Sequence, residues 1–400
     1  SRRRHTRYGT VTGVQTCALP ISQLMRLERL LAGIDLQFDL PSGIEVSGLT
    51  LDSRKVTDGA LFVAIKGSVG HGMDYVDAAI LAGASAVIYD DWDGEIPKII
   101  PALHIPGLMH KVGHIAHAFY GNPCSAMQII GVTGTNGKTT TVHLIAQLAE
   151  HLGIKAARIG TLGVSVGADK LIESDRTTPD AITLASMFAE LRSRDVNFVA
   201  MEVSSHALDQ GRVDGIPFTV GVITNLTRDH LDYHQTMEAY GAAKARLFHD
   251  FALRAAIFNI DDSFCRKLSE TTSQFNVVNY GSDADHVDIQ LIRPTDSGSN
   301  IRVSIHSVAY DLQTSLLGAF NASNVMAAFA AISALFPDDV DRLLAAIPKL
   351  QAAPGRMEWF RAPEFATVVV DYAHTPDALE NAIKTCKAHC VGEVWSVFGC

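Results

Sequence analysis

The sequence has few charged residues, no CxxC pair of cysteines and no long apolar run, and each of these absences excludes a class of protein. Charged residues make up 19% of the chain and hydrophobic residues 47%, which is too apolar for intrinsic disorder. The 33 basic residues are outnumbered by 43 acidic residues, and the formal net charge of -10 disfavours a nucleic-acid partner. Because no apolar run reaches the ~18 residues of a membrane span, we expect a soluble protein with no membrane partner.

The six cysteines are scattered along the chain without a CxxC pair. A chain of 400 residues can bury hydrophobic cores without disulfide bonds, so this cysteine usage indicates a reducing cytoplasm. At ~150 residues per domain, the length predicts two or three domains.

Changes of pattern along the chain predict its organisation. Residues 1–21 combine four arginines with a Gly/Thr-rich stretch and lack a signal peptide's apolar core, so we interpret them as a non-native or disordered extension. Residues 22–108 contain short apolar strands and helices that predict a compact α/β domain. Residues 109–352 alternate apolar strands with amphipathic helices, which is typical of a largely parallel, doubly wound sheet.

Two segments depart from this alternation. Residues 288–317 have a strand-type pattern with a hairpin turn at residues 296–300, which predicts an antiparallel appendage. Residues 353–400 predict a single strand-helix-strand unit, with strands at Thr367–Val370 and Val394–Phe398. Such a unit cannot bury both faces of its sheet alone. We therefore expect a third domain that is cut short at Cys400.

The strongest motif is a glycine-rich stretch, Gly131–Thr140, between an apolar strand and an amphipathic helix. Gly134 and Gly137 allow backbone N–H groups to turn toward an anion, and the helix N-terminus adds partial positive charge. Lys138 is expected to reach the outer phosphates, and the Thr139 hydroxyl to ligate Mg²⁺. Valine replaces the first glycine of the strict P-loop motif, and an ordinary glycine-rich turn is the alternative interpretation.

Acidic and histidine residues follow two other apolar strands. Glu202 ends one of them, where open α/β sheets bind ligands, and could hold Mg²⁺ as a Walker-B acid does. On its own, such a carboxylate is more often a salt-bridge partner. The segment Asn225–His234 contains two histidines, but its spacing matches no zinc signature and a solvated loop is the alternative. Composition alone gives Lys244, on a later helix, no role.

Taken together, these residues resemble the Mur ligase family, and within it the MurE enzymes, which add the third amino acid of the peptidoglycan stem peptide. The resemblance runs from about Met25 to Cys400. It rests on four stretches, which are Thr50–Arg54 with Gly59–Ala64, Gly131–Thr140, Ala200–His206 through Lys244, and Gly355–Glu358 with Asp371–Asp377.

The resemblance implies a three-domain α/β architecture around a central, doubly wound sheet of the P-loop ATPase type. Residues 22–108 would bind the UDP-substrate and residues 109–352 would bind ATP. Residues 353–400 would begin a Rossmann-like, amino-acid-binding domain that is incomplete.

The resemblance also implies a reaction in which ATP phosphorylates a substrate carboxylate and an amine attacks the acyl phosphate. The residues in catalytic positions are Lys138, Glu202, His230 and Lys244. The implied Mg²⁺ ligands are Thr139, Glu202, His230 and Lys244. Lys244 would be carbamylated on Nζ, because an ammonium cannot ligate a cation whereas a carbamate anion can.

Matching of family motifs implies two further sets of contacts. The nucleotide would contact Gly134, Thr135, Asn136, Gly137, Lys138, Thr139, Thr140, Asn321, Asn324, Arg356, Asp371 and His374. The UDP-muramoyl peptide would contact Leu51, Ser53, Thr177, Thr178, Ser204, Gln210 and Arg212. Arg176 stands where some relatives carry Asn, and the Ser68–Gly70 uracil loop also differs from that of some relatives.

The implied partners are UDP-MurNAc-L-Ala-D-Glu and a diamino acid, bound by a monomeric cytoplasmic enzyme of peptidoglycan synthesis, which serves cell-wall biogenesis, cell shape, cell division and the cell cycle. We expect meso-diaminopimelate, because Gly355–Glu358 and Phe398–Cys400 look most like that branch. The motif that would decide between it and L-lysine would lie past Cys400.

Three alternatives stay open at the level of sequence. One is a MurE enzyme that adds lysine, and another is a different ATP-dependent amide ligase, such as MurF or a folylpolyglutamate synthase. The third is a fragment that binds substrate and ATP without forming the amide.

Overall fold

The computed structural model describes residues 24–34, 40–67, 70–173, 176–374 and 376–399. Three features predicted from the sequence lie outside the described residues. They are the extension over residues 1–21, the first two residues of the Ser68–Gly70 loop, and Cys400.

The first part of the chain folds into short strands and helices around a small sheet. Its elements are β1 (Met25–Arg26), α1 (Leu27–Leu30), β2 (Glu45–Val46), β3 (Gly48–Thr50), β4 (Ala60–Ala64), α2 (Val76–Leu81), β5 (Ala86–Tyr89), β6 (Ala102–His104) and α3 (Val112–Phe119). The sheet is parallel, in the order β3-β4-β5-β6. Strand β4 is buried along its whole length, because alternate residues face two different apolar clusters.

The central part contains the large sheet. Its elements are β7 (Gln128–Thr133), α4 (Lys138–His151), β8 (Ala156–Gly160), β9 (Gly163–Val166), β10 (Asp169–Ile172), α5 (Ala181–Ser193), β11 (Phe198–Glu202), α6 (Ser205–Asp209), β12 (Val220–Ile223), α7 (Leu231–His234), α8 (Met237–His249), β13 (Ala255–Asn259), α9 (Ser263–Thr271), β14 (Asn276–Gly281), β15 (Val287–Thr295), β16 (Gly298–Ile305), β17 (Val308–Thr314), α10 (Ala319–Ser333) and α11 (Val340–Ala346). The strand order is β10-β9-β8-β11-β7-β12-β13-β14-β15-β16-β17.

Helices cover both faces of this sheet, as the doubly wound prediction requires. Neighbouring strands are parallel from β8 to β15, where apolar runs are buried on both sides. Ile130 of β7 faces the cluster that includes α4, α10 and α11. Ile129, one residue earlier, faces the opposite cluster, which includes α5, α8 and α9.

The antiparallel segment predicted over residues 288–317 is present as β15, β16 and β17. Its hairpin turn lies at Asp296–Ser297, between β15 and β16. The segment extends the central sheet and is not a separate appendage, because β15 also pairs in parallel with β14, at Tyr280 and Val287.

The last part of the chain differs from the predicted strand-helix-strand unit. Strand β19 (Val368–Val370) pairs antiparallel with β18 (Glu358–Phe360), and α12 (Pro376–Ala388) follows. The predicted strand Val394–Phe398 is wrong, since those residues have no regular structure. A strand needs a ladder of hydrogen bonds to a neighbour, and the structure pairs no described strand with these residues. Trp395 is correspondingly 85% exposed.

None of the helices in the described part of the chain combines the length and apolar character needed to cross a bilayer.

Helix α3 connects the first sheet to the loop that follows α6. Its apolar residues belong to the core of the first sheet. At Gly113 the helix touches the loop backbone so closely that a Cβ would lie 1.9 Å from Asp214 O. His110 Nδ1 and Asp214 Oδ2, 2.8 Å apart, form a second contact. The absence of a side chain at Gly113 therefore sets how this loop lies against α3.

We predict that Gly113→Ala destabilises the protein, although Gly→Ala in an ordinary helix gains about 1 kcal/mol. The added methyl group meets a backbone carbonyl that cannot move without shifting the loop, so the free energy of unfolding should fall by roughly 1–3 kcal/mol. Denaturant titration measures this change. His114→Ala, at the exposed neighbour in α3, is the control and should stay within about 0.5 kcal/mol of the wild type. A stable Gly113→Ala variant would contradict the packing of α3 on the loop.

Candidate active site

The loop between β7 and α4 follows a course that requires glycine at two positions. Gly134 has a φ of +137° and Gly137 a φ of +88°, both in the region that other residues rarely adopt. A Cβ at Gly134 would lie 2.0 Å from Thr224 Oγ1, and one at Gly137 would lie 2.5 Å from Asn324 Oδ1. The glycines thus allow the loop to pack directly against the end of β12 and against α10.

Residues that follow β12 hold this loop by hydrogen bonds. Thr224 Oγ1 donates to Asn136 O at 2.6 Å, and Asn136 N donates to Asn225 Oδ1 at 2.9 Å. Thr135 N donates to Asn225 O at 3.0 Å. The N–H groups of the first turn of α4, which includes the buried Thr140, have no partner within the helix and are free to face an anion.

Lys138, the first residue of α4, folds back over the loop. Its Nζ donates to Gly134 O at 2.9 Å and to Thr135 O at 2.8 Å. Burial lowers the pKa of this amine, while the Glu202 carboxylate opposes that shift. The amine therefore lies inside the loop, where oxygens of an anion could replace the two carbonyl oxygens.

Glu202 ends β11, beside β7, and is only 2% exposed. Thr139 Oγ1 donates to its Oε1 at 3.0 Å, and Thr161 N donates to the same oxygen at 2.8 Å. Burial raises the pKa of this carboxyl, and the charge of Lys138 acts in the opposite direction. The structure thus brings together the hydroxyl and the carboxylate that the sequence predicts as Mg²⁺ ligands.

Lys244 is buried, with 1% of its surface exposed, and is not the solvated lysine that its helix alone suggests. Its Nζ donates to Gly134 O at 2.8 Å and lies 4.4 Å from the centre of the Tyr240 ring. Burial, and secondarily the charge of Lys138, lowers the pKa of this amine well below its usual value. The two lysines thus share one carbonyl oxygen as acceptor.

His230 lies at the start of α7 with a φ of +52°, an uncommon backbone conformation for histidine. Its ring is 4.9 Å from that of His206 and 6.0 Å from that of Tyr240. Partial burial lowers the pKa of His230, although Asp229 opposes the shift. The imidazole is therefore biased toward the neutral form, which is the form that ligates metals.

The donor set suits a cation that arrives with a nucleotide. Within the described residues, no group of three or more His, Cys, Asp or Glu side chains is arranged to hold a metal ion by itself. Mg²⁺ in nucleotide sites uses one or two protein oxygens and completes its coordination with phosphate oxygens and water. Thr139 Oγ1 and Glu202 Oε1 provide two such oxygens.

The residues predicted for the muramoyl peptide form a second cluster beside Glu202. Thr178 Oγ1 donates to Glu202 O at 2.9 Å and accepts from Ser204 N at 3.1 Å. Arg212 donates through Nη1 to Thr178 O and through Nε to Gln210 Oε1, both at 3.0 Å.

Two threonines and one arginine extend this cluster. Thr177 Oγ1 accepts from Thr161 Oγ1 at 3.2 Å, and Thr161 also binds Glu202. Burial lowers the pKa of Arg212, and the positive charge of Arg176 adds to that shift.

Asn324 of α10 faces Gly137 in the loop between β7 and α4, which is called the phosphate loop below (Gly134–Gly137). Asn324 Nδ2 donates to Asn321 Oδ1 at 3.2 Å, and Asn324 Oδ1 accepts from Thr141 Oγ1 at 3.4 Å. Both side chains are buried. Asn324 therefore limits the space at Gly137, and Asn321 holds the Asn324 side chain in place.

The remaining predicted residues lie at the ends of β18 and β19 and on the first sheet. Asp371 accepts from Met357 N at 2.8 Å, and Arg356 stacks 4.3 Å from the Tyr372 ring. The charge of Arg356 influences the pKa of both Lys138 and Glu202. His374 contacts Tyr372 O at 3.0 Å. Leu51 and Ser53 follow β3 on the first sheet, apart from the phosphate-loop cluster.

Sequence reasoning missed Thr161 and Tyr240. Thr161 follows β8 directly, and its position at the carboxyl end of a parallel strand could have indicated a place in the site. Tyr240 precedes Lys244 by four residues, which places both on one face of α8.

Three models of known protein families match this chain, and together they cover most of it. The model for the Mur ligase catalytic domain matches residues 45–119, that for the Mur ligase middle domain residues 132–332, and that for the Mur ligase glutamate ligase domain residues 355–400. A relative from Xanthomonas oryzae pv. oryzae, named UDP-N-acetylmuramoyl-L-alanyl-D-glutamate--2,6-diaminopimelate ligase, is 42% identical over 390 residues. That alignment covers 95% of this chain and 77% of the relative.

Solved structures agree in fold. A structure of a ligase with the same name superposes with a TM-score of 0.79 at 33% identity, covering 94% of this chain and 77% of the other. MurF from Acinetobacter baumannii superposes with a TM-score of 0.65 at 18% identity, covering 92% and 76%, and shares the fold alone. The predicted α/β architecture with a central sheet is confirmed.

We predict that Glu202→Gln leaves the protein folded but makes its affinity for nucleotide depend much less on Mg²⁺. The amide oxygen can still accept from Thr139 and Thr161, so the fold keeps its hydrogen bonds. The anionic cation ligand is lost, and the factor by which Mg²⁺ tightens ADP binding should fall on the order of tenfold. Calorimetric ADP titrations with and without Mg²⁺ measure this factor.

Glu150→Gln is the matched control for this prediction. The pKa of the Glu150 carboxyl is also raised, but this residue is exposed and lies at the far end of α4. The control should bind ADP with the wild-type dependence on Mg²⁺. An unchanged Mg²⁺ effect in Glu202→Gln would remove Glu202 from the cation site.

Proposed function

Because the chain belongs to the Mur ligase family, we propose that it is the ATP-dependent ligase that adds meso-diaminopimelate, as third stem-peptide residue, to UDP-MurNAc-L-Ala-D-Glu. The observation that carries this proposal is the meeting of Lys138, Thr139 and Glu202 beside the Thr178–Arg212 cluster. The names of the relatives support diaminopimelate over lysine. MurF shares only the fold at 18% identity, which gives the alternative ligase less support.

The chain's own residues would overcome the repulsion between a carboxylate and a phosphate. ATP bound at the loop would supply the phosphoryl group that activates the substrate carboxylate, and Mg²⁺ would neutralise part of its charge. Lys138 would leave Gly134 O and Thr135 O and place its amine against the phosphate oxygens. Because Lys138 is partly buried against the loop, its charge would be less screened than in water and would stabilise developing negative charge.

We propose that Lys244 carries a carbamate that joins His230 at a second Mg²⁺. Carbon dioxide reacts with a neutral amine, and the burial that lowers the pKa of Lys244 favours that form. The modified side chain would be an anion beside the neutral imidazole of His230, a pair that can ligate a divalent cation. The resemblance to the family and the buried position of Lys244 support this assignment.

Substrate contacts follow from the clusters already described. Arg212 presents a guanidinium suited to a carboxylate of the peptide, with Thr177, Thr178, Ser204 and Gln210 around it. The loop residues Gly134–Thr140 would hold the phosphates. The adenosine part would contact Asn321, Asn324, Arg356, Asp371 and His374, and the uridine part Leu51 and Ser53.

We further propose domain boundaries near residues 108 and 352 and a monomeric cytoplasmic enzyme. Its product would enter peptidoglycan synthesis, and so contribute to cell-wall biogenesis, cell shape and cell division. The prevalence of acidic over basic residues supports a small-molecule partner over nucleic acid.

The function is tested by supplying labelled ATP, UDP-MurNAc-L-Ala-D-Glu and either diamino acid. The 400-residue chain is compared with a version extended by the C-terminal sequence of the Xanthomonas relative. We expect amide product with meso-diaminopimelate in the extended protein, and none in its Lys138→Ala variant because the phosphate-contacting amine is gone. Equal product with L-lysine would contradict the choice of meso-diaminopimelate. If neither the 400-residue chain nor the extended protein forms product but both bind nucleotide, the result would favour the alternative of a protein that binds substrate and ATP without forming the amide.

We predict that Lys244→Ala lowers ligase activity on the order of 10²-fold or more, because it removes an anionic group from the reacting site. Added bicarbonate should not restore activity, since no amine remains to modify. A small carboxylic acid should restore part of it by occupying the vacated position. The exposed Lys267 on α9 provides the control, and Lys267→Ala should retain full activity. Full activity in untreated Lys244→Ala would refute the role.

A further inference from the structure

Tyr240 touches two parts of the site that are distant in sequence. It is fully buried on α8, one helical turn before Lys244. The face of its ring lies 4.4 Å from Lys244 Nζ, and its hydroxyl lies 3.2 Å from Thr135 Oγ1 in the phosphate loop. The ring also lies 5.2 Å from that of His234 and 6.0 Å from that of His230.

The direction of the bond between Tyr240 and Thr135 follows from the other partners of the threonine hydroxyl. Thr135 Oγ1 accepts from Thr227 N at 3.0 Å and donates its one proton to Thr227 O at 3.2 Å. Burial raises the pKa of Tyr240 to about 12, so its hydroxyl keeps its proton at neutral pH. Tyr240 therefore donates to Thr135, and the threonine hydroxyl then has both lone pairs and its proton in use.

The backbone of Thr135 also accepts a hydrogen bond from Lys138. Lys138 Nζ donates to Thr135 O and to Gly134 O, and Lys244 Nζ donates to Gly134 O as well. The hydroxyl of Tyr240 thus fixes the peptide unit to which both lysines bind. Its ring limits the position of Lys244 from the other side.

We propose that Tyr240 is a positioning residue, which holds the phosphate loop through its hydroxyl and the end of the Lys244 side chain through its ring. The proposal rests on the proposed function, because it assigns the loop to a nucleotide. Tyr240 has no polar atom directed at the substrate cluster in the hydrogen bonds described, so it acts through Thr135 and Lys244.

The two halves of the proposal are separable by substitution. Tyr240→Phe removes the hydroxyl and keeps the ring, which leaves one acceptor site of the buried Thr135 hydroxyl unsatisfied. Its affinity for ADP should fall roughly tenfold, with a raised KM for ATP and a smaller change in kcat. Tyr240→Leu removes the ring as well, and so should also release Lys244.

Lys244 provides a readout that does not depend on activity. In protein labelled with ¹³C-lysine, the methylene protons next to Nζ should show an upfield ring-current shift, assigned by its loss in Lys244→Arg. Tyr240→Phe should keep this shift and Tyr240→Leu should lose it. Tyr280→Phe is the control, because Tyr280 is also fully buried but has Ser323 of α10 as its hydroxyl partner. This control should keep both ADP affinity and the lysine signal.

Wild-type ADP affinity in Tyr240→Phe, or an equal loss in Tyr280→Phe, would overturn the role of the hydroxyl. Loss of the lysine shift in Tyr240→Phe, or its absence from the wild type, would overturn the role of the ring. Tyr240→Phe decides the first point if the leucine variant fails to fold. A wild-type protein that does not bind ADP would refute the proposed function, and the lysine signal would still decide whether the ring holds Lys244.

Discussion

Two lysine amines donate to one carbonyl oxygen in the phosphate loop, and the rest of the site is arranged around that contact. Nζ of Lys138 and Nζ of Lys244 lie 2.9 Å and 2.8 Å from Gly134 O. Two charged amines at such positions would repel each other, and burial penalises each charge, which favours the neutral form of Lys244. Glu202 offsets part of this positive charge. An anionic ligand would offset the rest of this positive charge. The charge that destabilises the empty site would therefore favour the binding of a phosphate.

The order of the strands explains how residues far apart in sequence reach this contact. Strands β8, β11, β7 and β12 lie side by side and parallel, so their carboxyl ends share one edge of the sheet. Those ends carry Thr161, Glu202, the phosphate loop and Thr224 in that spatial order. The loop can pass this closely between its neighbours only because Gly134 leaves room for Thr224. The strand order therefore sets which residues are neighbours, and the missing side chain at Gly134 allows the loop to approach Thr224.

Sequence reasoning identified the parts of the site that depend on local pattern. The phosphate loop and Glu202 were recognisable from a strand end followed by characteristic residues, and the alternation of strands and helices predicted the central sheet. Lys244 was assigned only through family resemblance, because burial depends on which helix face meets the sheet. Tyr240 was missed for the same reason. The strand predicted at Val394–Phe398 failed because an apolar run does not specify a pairing partner.

Hydrogen bonds join the last part of the chain to the central part. Trp359 Nε1 donates to Ser315 O at 2.9 Å, and Arg361 Nη2 donates to Asp296 O at 2.6 Å. His389 accepts from Gly318 N at 2.8 Å and contacts Thr295 O at 2.7 Å. These bonds end on the antiparallel extension of the central sheet and on the start of α10.

Each of these hydrogen bonds contributes only about 1 kcal/mol net, which is small beside the binding free energy of a nucleotide held even at micromolar affinity, about 8 kcal/mol. If the nucleotide binds as proposed, contacts with Arg356, Asp371 and His374 would add to these hydrogen bonds in holding this part against the central sheet. The apolar side chains Ile292 and Phe320 also line a cleft against Ala388 of α12, so the contact between the two parts is not made of hydrogen bonds alone.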